Sequence, residues 1–381
     1  MGDGMSNRRE FLKNVAGATA GVFLTGWELL DASAGLPQSA APVKRREISV
    51  GGRRVKTVDL HCHCYPDIRD LLKGHEQESR GANGFLNPNR RFAMLEPDKI
   101  ADRLRHMDEH GIDVQAVSLF PAYNYWADRD LASLIAQRQN EQLAALCTAH
   151  PDRFVGLGSL SLQHPDLTVE QMDQGVKKLG FRGFVIGGSV NGDDLSGPKF
   201  DPFWAKAEEL GIVIFMHPEG FAEGQKRFQG NGNLGNVIGN PLETTVALSH
   251  LIFDGTLDRY PGVKIVAAHG GGYFASYLGR SNHCVEKNPA GCKPLKKMPS
   301  EYFKEQIYCD SIVFTPEGLR YLVAEVGVGH VVFGTDFPAD VDDPHMGDDR
   351  EADFILGSGL SAADQRAILG ENAAAILRIP S

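Results

Sequence analysis

His61-Cys62-His63 stands where the apolar run Val55, Val58, Leu60 gives way to Tyr65-Pro66. Side chains alternate along a strand, so histidines two positions apart present both imidazoles to one side. Neutral imidazole is a favoured ligand for zinc and similar divalent metals, although a lone His-x-His is also a spacing that chance produces. Three further apolar runs end in the same way. Val213-Ile214-Phe215-Met216 leads into His217-Pro218, Val263 to Ala268 into His269-Gly270-Gly271-Gly272, and Val331 to Thr335 into Asp336-Phe337-Pro338. Each run has the length and β-branched content of a buried parallel strand, and each is followed by the glycine or proline that a tight exit needs. Metal-ligating residue types at four strand ends, His61, His63, His217, His269 and Asp336, therefore point to one metal site.

The elements that must position these residues follow from the rest of the pattern. Strands are expected at Val55 to Leu60, Val114 to Leu119, Phe154 to Leu160, Gly183 to Ile186, Val213 to Met216, Lys264 to Ala268, Gln306 to Asp310 and Val331 to Thr335. Helical patterns separate them. Pro97 and Gly111 bracket one run, matching proline at the first helical position and glycine past the end. Others cover Asp130 to Thr148, Thr168 to Leu179, Pro202 to Leu210, Glu243 to Asp258, Pro316 to Val326 and Ser361 to Leu377. Eight alternations imply an α/β fold, a (β/α)8 TIM barrel, whose active site lies at the C-terminal face of the strands. Gly51-Gly52 signals an N-terminal hairpin, and long non-periodic loops are inserted after strand 1 (Tyr65 to Leu95) and strand 5 (Glu219 to Asn240).

The 381 residues fit one large barrel, and the net charge of −10 gives no sign of nucleic acid or an anionic membrane as partner. Residues 1–34 resemble a twin-arginine (Tat) export signal: Arg8-Arg9 precede Glu10-Phe11-Leu12-Lys13, a mild apolar stretch and the small-residue site Ala32-Ser33-Ala34. The expected domains are thus 1–34 signal peptide, 35–53 linker and hairpin, and 54–381 barrel. The mature chain is expected to be exported, periplasmic or secreted, with no membrane attachment after cleavage. The six cysteines show no C-x-x-C spacing, and Cys284 and Cys292 flank a short loop that a disulfide could close.

Together, His61-x-His63, Met216-His217-Pro218, Ala268-His269-Gly270-Gly271-Gly272 and Gly334-Thr335-Asp336-Phe337-Pro338 resemble the amidohydrolase-related metal-dependent barrels. The nearest branch is that of aminocarboxymuconate semialdehyde decarboxylase. Met107-Asp108-x-x-Gly111-Ile112-Asp113 and Tyr277-Leu278-Gly279-Arg280 extend the resemblance. It implies that His61, His63, His217 and Asp336 bind one divalent ion, most simply zinc, with His269 as acid/base catalyst. Three imidazoles and a carboxylate leave an open position on such an ion. The binuclear hydrolase branch carries a bridging lysine at the end of strand 4, where this chain has Gly187-Gly188. The implied reaction is decarboxylation, or hydration, of an unsaturated or aromatic carboxylic acid. Alternatives are a hydrolase of lactones or amides, and an exported metal-binding barrel without activity. Glu219 follows His217-Pro218 where that branch has an aromatic residue, and Arg90 or Arg91 is the candidate for the substrate carboxylate. Most of the remaining histidines read as structural, His250 being the least clear of them. Assembly is open between monomer and homodimer.

Overall fold

Eight parallel strands form a single sheet in the order in which they follow along the chain. The computed structural model describes residues 44–75, 95–119, 123–288, 291–292, 295–338 and 351–380. Residues 1–43, where the export signal and most of the linker are expected, and both Arg90 and Arg91, lie outside them. The strands are β1 (Val58–Cys64), β2 (Val114–Leu119), β3 (Phe154–Gly158), β4 (Gly183–Ile186), β5 (Val213–Met216), β6 (Lys264–Ala267), β7 (Ile307–Asp310) and β8 (Val331–Val332). The sheet closes on itself: Leu60 N–H donates to Phe333 O at 2.9 Å, Asp336 N–H to His61 O at 2.8 Å and His63 N–H to Phe337 O at 2.7 Å. These bonds make a barrel and fasten Asp336 directly to the strand that carries His61 and His63.

Helices α1 (Pro97–His110), α2 (Arg129–Ala149), α3 (Pro165–Lys177), α4 (Asp201–Leu210), α5 (Asn240–Phe253), α6 (Leu278–Lys287), α7 (Pro316–Val326) and α8 (Asn372–Leu377) follow the successive strands. Gly111 ends α1 in the left-handed conformation that the sequence pattern anticipates, at φ 73°. The Gly51-Gly52 hairpin forms, pairing Ser49–Val50 with Arg53–Arg54. Arg45 and Arg54 both reach Asp113, which ties the segment before β1 to the start of β2.

The structure corrects several boundaries. β1 continues through Cys64, so His61 and His63 lie inside a buried strand and not at its exit. β8 is only two residues long, because Phe333 to Phe337 peels off to pair with β1. The pattern from Glu243 to Asp258 divides into α5 and a short turn of helix, Thr256–Arg259, broken by Gly255 at φ 77°. The C-terminal helical pattern is likewise interrupted by a wide turn at Ala367–Glu371. A two-strand hairpin after β4, Ser189–Val190 with Asp193–Asp194, has no counterpart in the sequence reading. Cys284 and Cys292 are free thiols with sulfurs 3.3 Å apart.

Candidate metal centre

Four of the five residues singled out converge within the barrel mouth: one ligand atom from each of His61, His217, His269 and Asp336 lies within 4.8 Å of the others. His63 joins from the same strand as His61. Its Nε2 is 3.2 Å from Asp336 Oδ1, and His61 Nε2 is 3.3 Å from the same oxygen. Ligand atoms about 2.1 Å from a shared tetrahedral ion stand roughly 3.4 Å apart, so these separations suit one ion.

Each strand histidine is turned inward by what holds its other nitrogen. His61 Nδ1 is 2.6 Å from Asp310 Oδ2, His63 Nδ1 is 3.0 Å from Ser118 Oγ and 3.1 Å from Leu119 O, and His217 Nδ1 is 2.9 Å from Pro218 O. An imidazole whose Nδ1–H is given to an oxygen leaves a lone pair on Nε2, the usual arrangement behind a metal-ligating histidine. Nε2 of His61 and of His217 is buried and makes no hydrogen bond. Leaving such acceptors unpaired costs about 1–3 kcal/mol each, unless something other than a hydrogen bond meets them. The donor set therefore fits a divalent cation.

The charges agree. Burial pushes Asp336 and Asp310 up, but His61 and its neighbours more than reverse this, so both carboxyls lie below their ordinary range, Asp336 far below. Burial pulls His61 down, yet Asp336 and Asp310 carry it up to about 10. Burial and the adjacent histidines hold His217 well below its usual value, and burial lowers His63. Two buried carboxylates thus call for positive charge, while His63 and His217 stay neutral and able to ligate.

His269 differs from the other three. Its backbone is left-handed (φ 57°, ψ 52°), its Nδ1 is buried without a partner, and its Nε2 is 3.7 Å from Asp336 Oδ2. Asp336 is left-handed too, at φ 58°. Non-glycine residues persist there only when surrounding bonds over-determine them, a condition that clusters at functional sites. Asp310 supplies those bonds for His269: Oδ2 accepts from His269 N–H and Oδ1 from Gly270 N–H, both at 2.8 Å, and Oδ1 also accepts from Ile312 N–H at 3.1 Å.

Asp310 is the main site residue absent from the sequence reading, although it too is a carboxylate at a strand end. Arg103 is another. Fully buried on the inner face of α1, it donates to His63 O at 2.7 Å and to Gln115 Oε1 at 2.8 Å, with its guanidinium 4.8 Å from the Phe337 ring centre. Gln115 donates in turn to Asp59, which also accepts from Thr335 Oγ1 at 2.8 Å. Burial raises Asp59 to about 6 against those hydrogen bonds. An arginine in line with Ile100 and Met107 on an otherwise apolar helix stripe is the signal that could have shown it.

A cavity of about 710 Å³ opens at the C-terminal ends of β1, β2, β4 and β5 with Glu219 in its wall, and none of His61, His63, His217, His269 and Asp336 lines it. Tyr123, also lining it, donates to His217 O at 2.7 Å. His250 is outside, between Asp254 at 3.0 Å and Asp194 at 3.5 Å. No helix among the described residues is long and apolar enough to cross a membrane.

Residues 58–379 match the amidohydrolase family model. The chain is 32% identical over 300 residues to 2-amino-3-carboxymuconate-6-semialdehyde decarboxylase of Dictyostelium discoideum, covering 74% of this chain and 81% of that one. It is 32% identical over 293 residues to gamma-resorcylate decarboxylase of Rhodococcus jostii, covering 73% and 87%. Among solved structures, the dihydroxybenzoic acid decarboxylase of Polaromonas superposes with a TM-score of 0.71 at 26% identity, over 85% of this chain and 97% of that one. It carries bound manganese and the inhibitor 2-nitroresorcinol.

Proposed function

The chain belongs to the amidohydrolase family, and on that premise we propose that it is a divalent-metal-dependent, non-oxidative decarboxylase of aromatic carboxylic acids. The observation that carries this reading is the inward-facing set of His61, His63, His217 and Asp336, with His269 beside it and free at Nδ1. The decarboxylases among the similar proteins support it. So does the end of β4, where Gly187-Gly188 offers no lysine to bridge a second ion.

In this reading His61, His63, His217 and Asp336 hold the ion. Zinc suits three imidazoles and a carboxylate, and the manganese of the Polaromonas relative makes that ion the second candidate. Bound there, the ion would supply Lewis-acid polarisation and orient the acid. The reaction breaks the bond between ring carbon and carboxylate, releases carbon dioxide, and places one proton on the ring carbon. His269 is the group positioned to deliver that proton, since Asp310 fixes its backbone and the glycines after it leave its side chain facing the cluster. Asp336 Oδ2 lies 3.7 Å from His269 Nε2, on the face of the ring turned to the cluster. Arg8-Arg9 and the Ala32-Ser33-Ala34 site support an exported enzyme.

The test is to load the purified chain with zinc or manganese and present hydroxybenzoates, unsaturated acids and aryl lactones, scoring carbon dioxide release against acid release. Carbon dioxide from an aromatic acid is expected, with about one ion per chain. Lactone hydrolysis without any decarboxylation would reverse the assignment in favour of a hydrolase.

A further inference from the structure

The cavity at the C-terminal ends of β1, β2, β4 and β5 has a charge pattern that the catalytic residues do not explain. Glu243, in the first turn of α5, is only 7% exposed yet forms part of the cavity wall. Its Oε1 accepts from Ser189 Oγ at 2.8 Å, and its Oε2 receives no hydrogen bond from the described residues. The chain after β4 is shaped to admit it: a Cβ on Gly188 would stand 2.7 Å from Glu243 Cγ and 2.8 Å from Oε1. Burial pushes the Glu243 carboxyl above its usual range, and Glu223 and Asp194 add to the effect.

Around this carboxylate, Tyr65, Tyr123, Tyr125 and Trp126 give the cavity flat apolar faces, and Glu219 adds a second acid. No lysine or arginine is among the described residues lining it. A carboxylate oxygen that faces the cavity with a vacant lone pair can be met by a hydroxyl or amino donor. A second anionic group placed here would meet like charge, and Coulomb repulsion opposes it.

We propose that Glu243 selects the substrate: its Oε2 accepts a hydrogen bond from a ring hydroxyl or amino group of an aromatic monocarboxylic acid, and the acidic wall turns away acids with a second carboxylate. This rests on the decarboxylase reading and narrows its substrate class. Glu243 acts as a specificity residue, away from the bond that breaks.

The experiment uses the manganese-loaded full chain and follows two signals. One is stopped-flow tryptophan quenching by benzoate, the dihydroxybenzoate isomers and benzene-1,3-dicarboxylate, and the other is carbon dioxide release. In the native chain at least one dihydroxybenzoate should bind about ten- to hundredfold tighter than benzoate, as expected for a hydrogen bond to a charged acceptor, and the dicarboxylate should bind more weakly than benzoate. Glu243→Gln, which keeps size and an oxygen for Ser189, should relieve the dicarboxylate penalty and shrink the hydroxyl preference. Glu243→Leu should abolish the preference and leave benzoate affinity within threefold. Should Glu243→Leu fail to fold, Glu243→Gln decides. The proposal is overturned if both effects persist within threefold in a folded variant, or if the native chain binds the dicarboxylate as well as the monoacids. Altered selectivity without carbon dioxide from any acid would sink the decarboxylase reading alone, and decarboxylation with unaltered selectivity would sink the role of Glu243 alone.

Discussion

Asp310→Asn should weaken metal binding without touching any proposed ligand. Oδ2 of Asp310 faces His61 Nδ1 at 2.6 Å and His269 N–H at 2.8 Å, while Oδ1 takes Gly270 N–H at 2.8 Å and Ile312 N–H at 3.1 Å. Asparagine has nearly the same shape, but one of its two heads donates only. With the amide nitrogen toward Gly270 and Ile312, two buried backbone N–H groups lose their acceptor, at about 1–3 kcal/mol each. With it toward His61, one backbone N–H is lost, that of His269, and His61 Nδ1 becomes the acceptor. The second arrangement sacrifices fewer backbone bonds and should prevail. It moves the ring proton of His61 to Nε2, which then has no lone pair for an ion. Loss of such an orienting partner typically lowers metal affinity about 10–100-fold. Competition against a fluorescent chelator at pH 7.5 measures the affinity, and circular dichroism of EDTA-treated protein confirms that the fold persists. Affinity within threefold of the native chain, on folded protein, would refute the account of how His61 is oriented.

Four further outcomes are expected. His269→Ala should keep its metal by elemental analysis yet lose about a hundredfold or more in turnover, as a positioned acid/base does, and loss of the ion would make His269 a ligand. Gly272→Ala places a Cβ 2.3 Å from Pro241 O at φ 66°, and strain plus crowding should remove about 2–6 kcal/mol in urea unfolding; a change under about 1 kcal/mol contradicts the geometry. Asp310 and Asp336 are held below their ordinary range, so their stabilisation is present above the unfolded carboxyl value of about 3.9 and lost as pH falls through the folded values. Metal-free protein should therefore melt progressively lower below about pH 4, and a flat profile there would oppose the charge assignment. Changing Arg8 and Arg9 to lysine should strand the precursor in the cytoplasm, since lysine keeps the charge but not the guanidinium pair; normal processing of that variant removes the export proposal.

What the sequence made legible was whatever has a local cause. The apolar runs ending in His217, His269 and Asp336 declared their strands because buried parallel strands are continuous and need a sharp exit. The Gly51-Gly52 hairpin and the Gly111 cap followed from backbone conformations that other residues resist. The missed features depend on partners far along the chain. Asp310 meets His61 across 249 positions, and Arg103 meets the His63 carbonyl across 40. Glu243 reaches Ser189 across 54, and only because Gly188 leaves room. No periodicity encodes such pairings.

The two left-handed residues of the centre show how these layers depend on one another. His269 and Asp336 carry φ values of 57° and 58°, where a side chain is strained. One is fixed through its N–H by Asp310, which also orients His61, and the other through its N–H by the carbonyl of His61 itself. His61 is thus both a proposed ligand and the residue around which the proposed proton donor and the proposed carboxylate ligand are set. Disturbing its backbone would displace Asp336, and disturbing its ring would release Asp310 from its grip on the loop that carries His269. The centre is best understood as one cooperative unit built on β1, with the strand ends of β5, β6 and β8 supplying residues to a frame that β1 and Asp310 define.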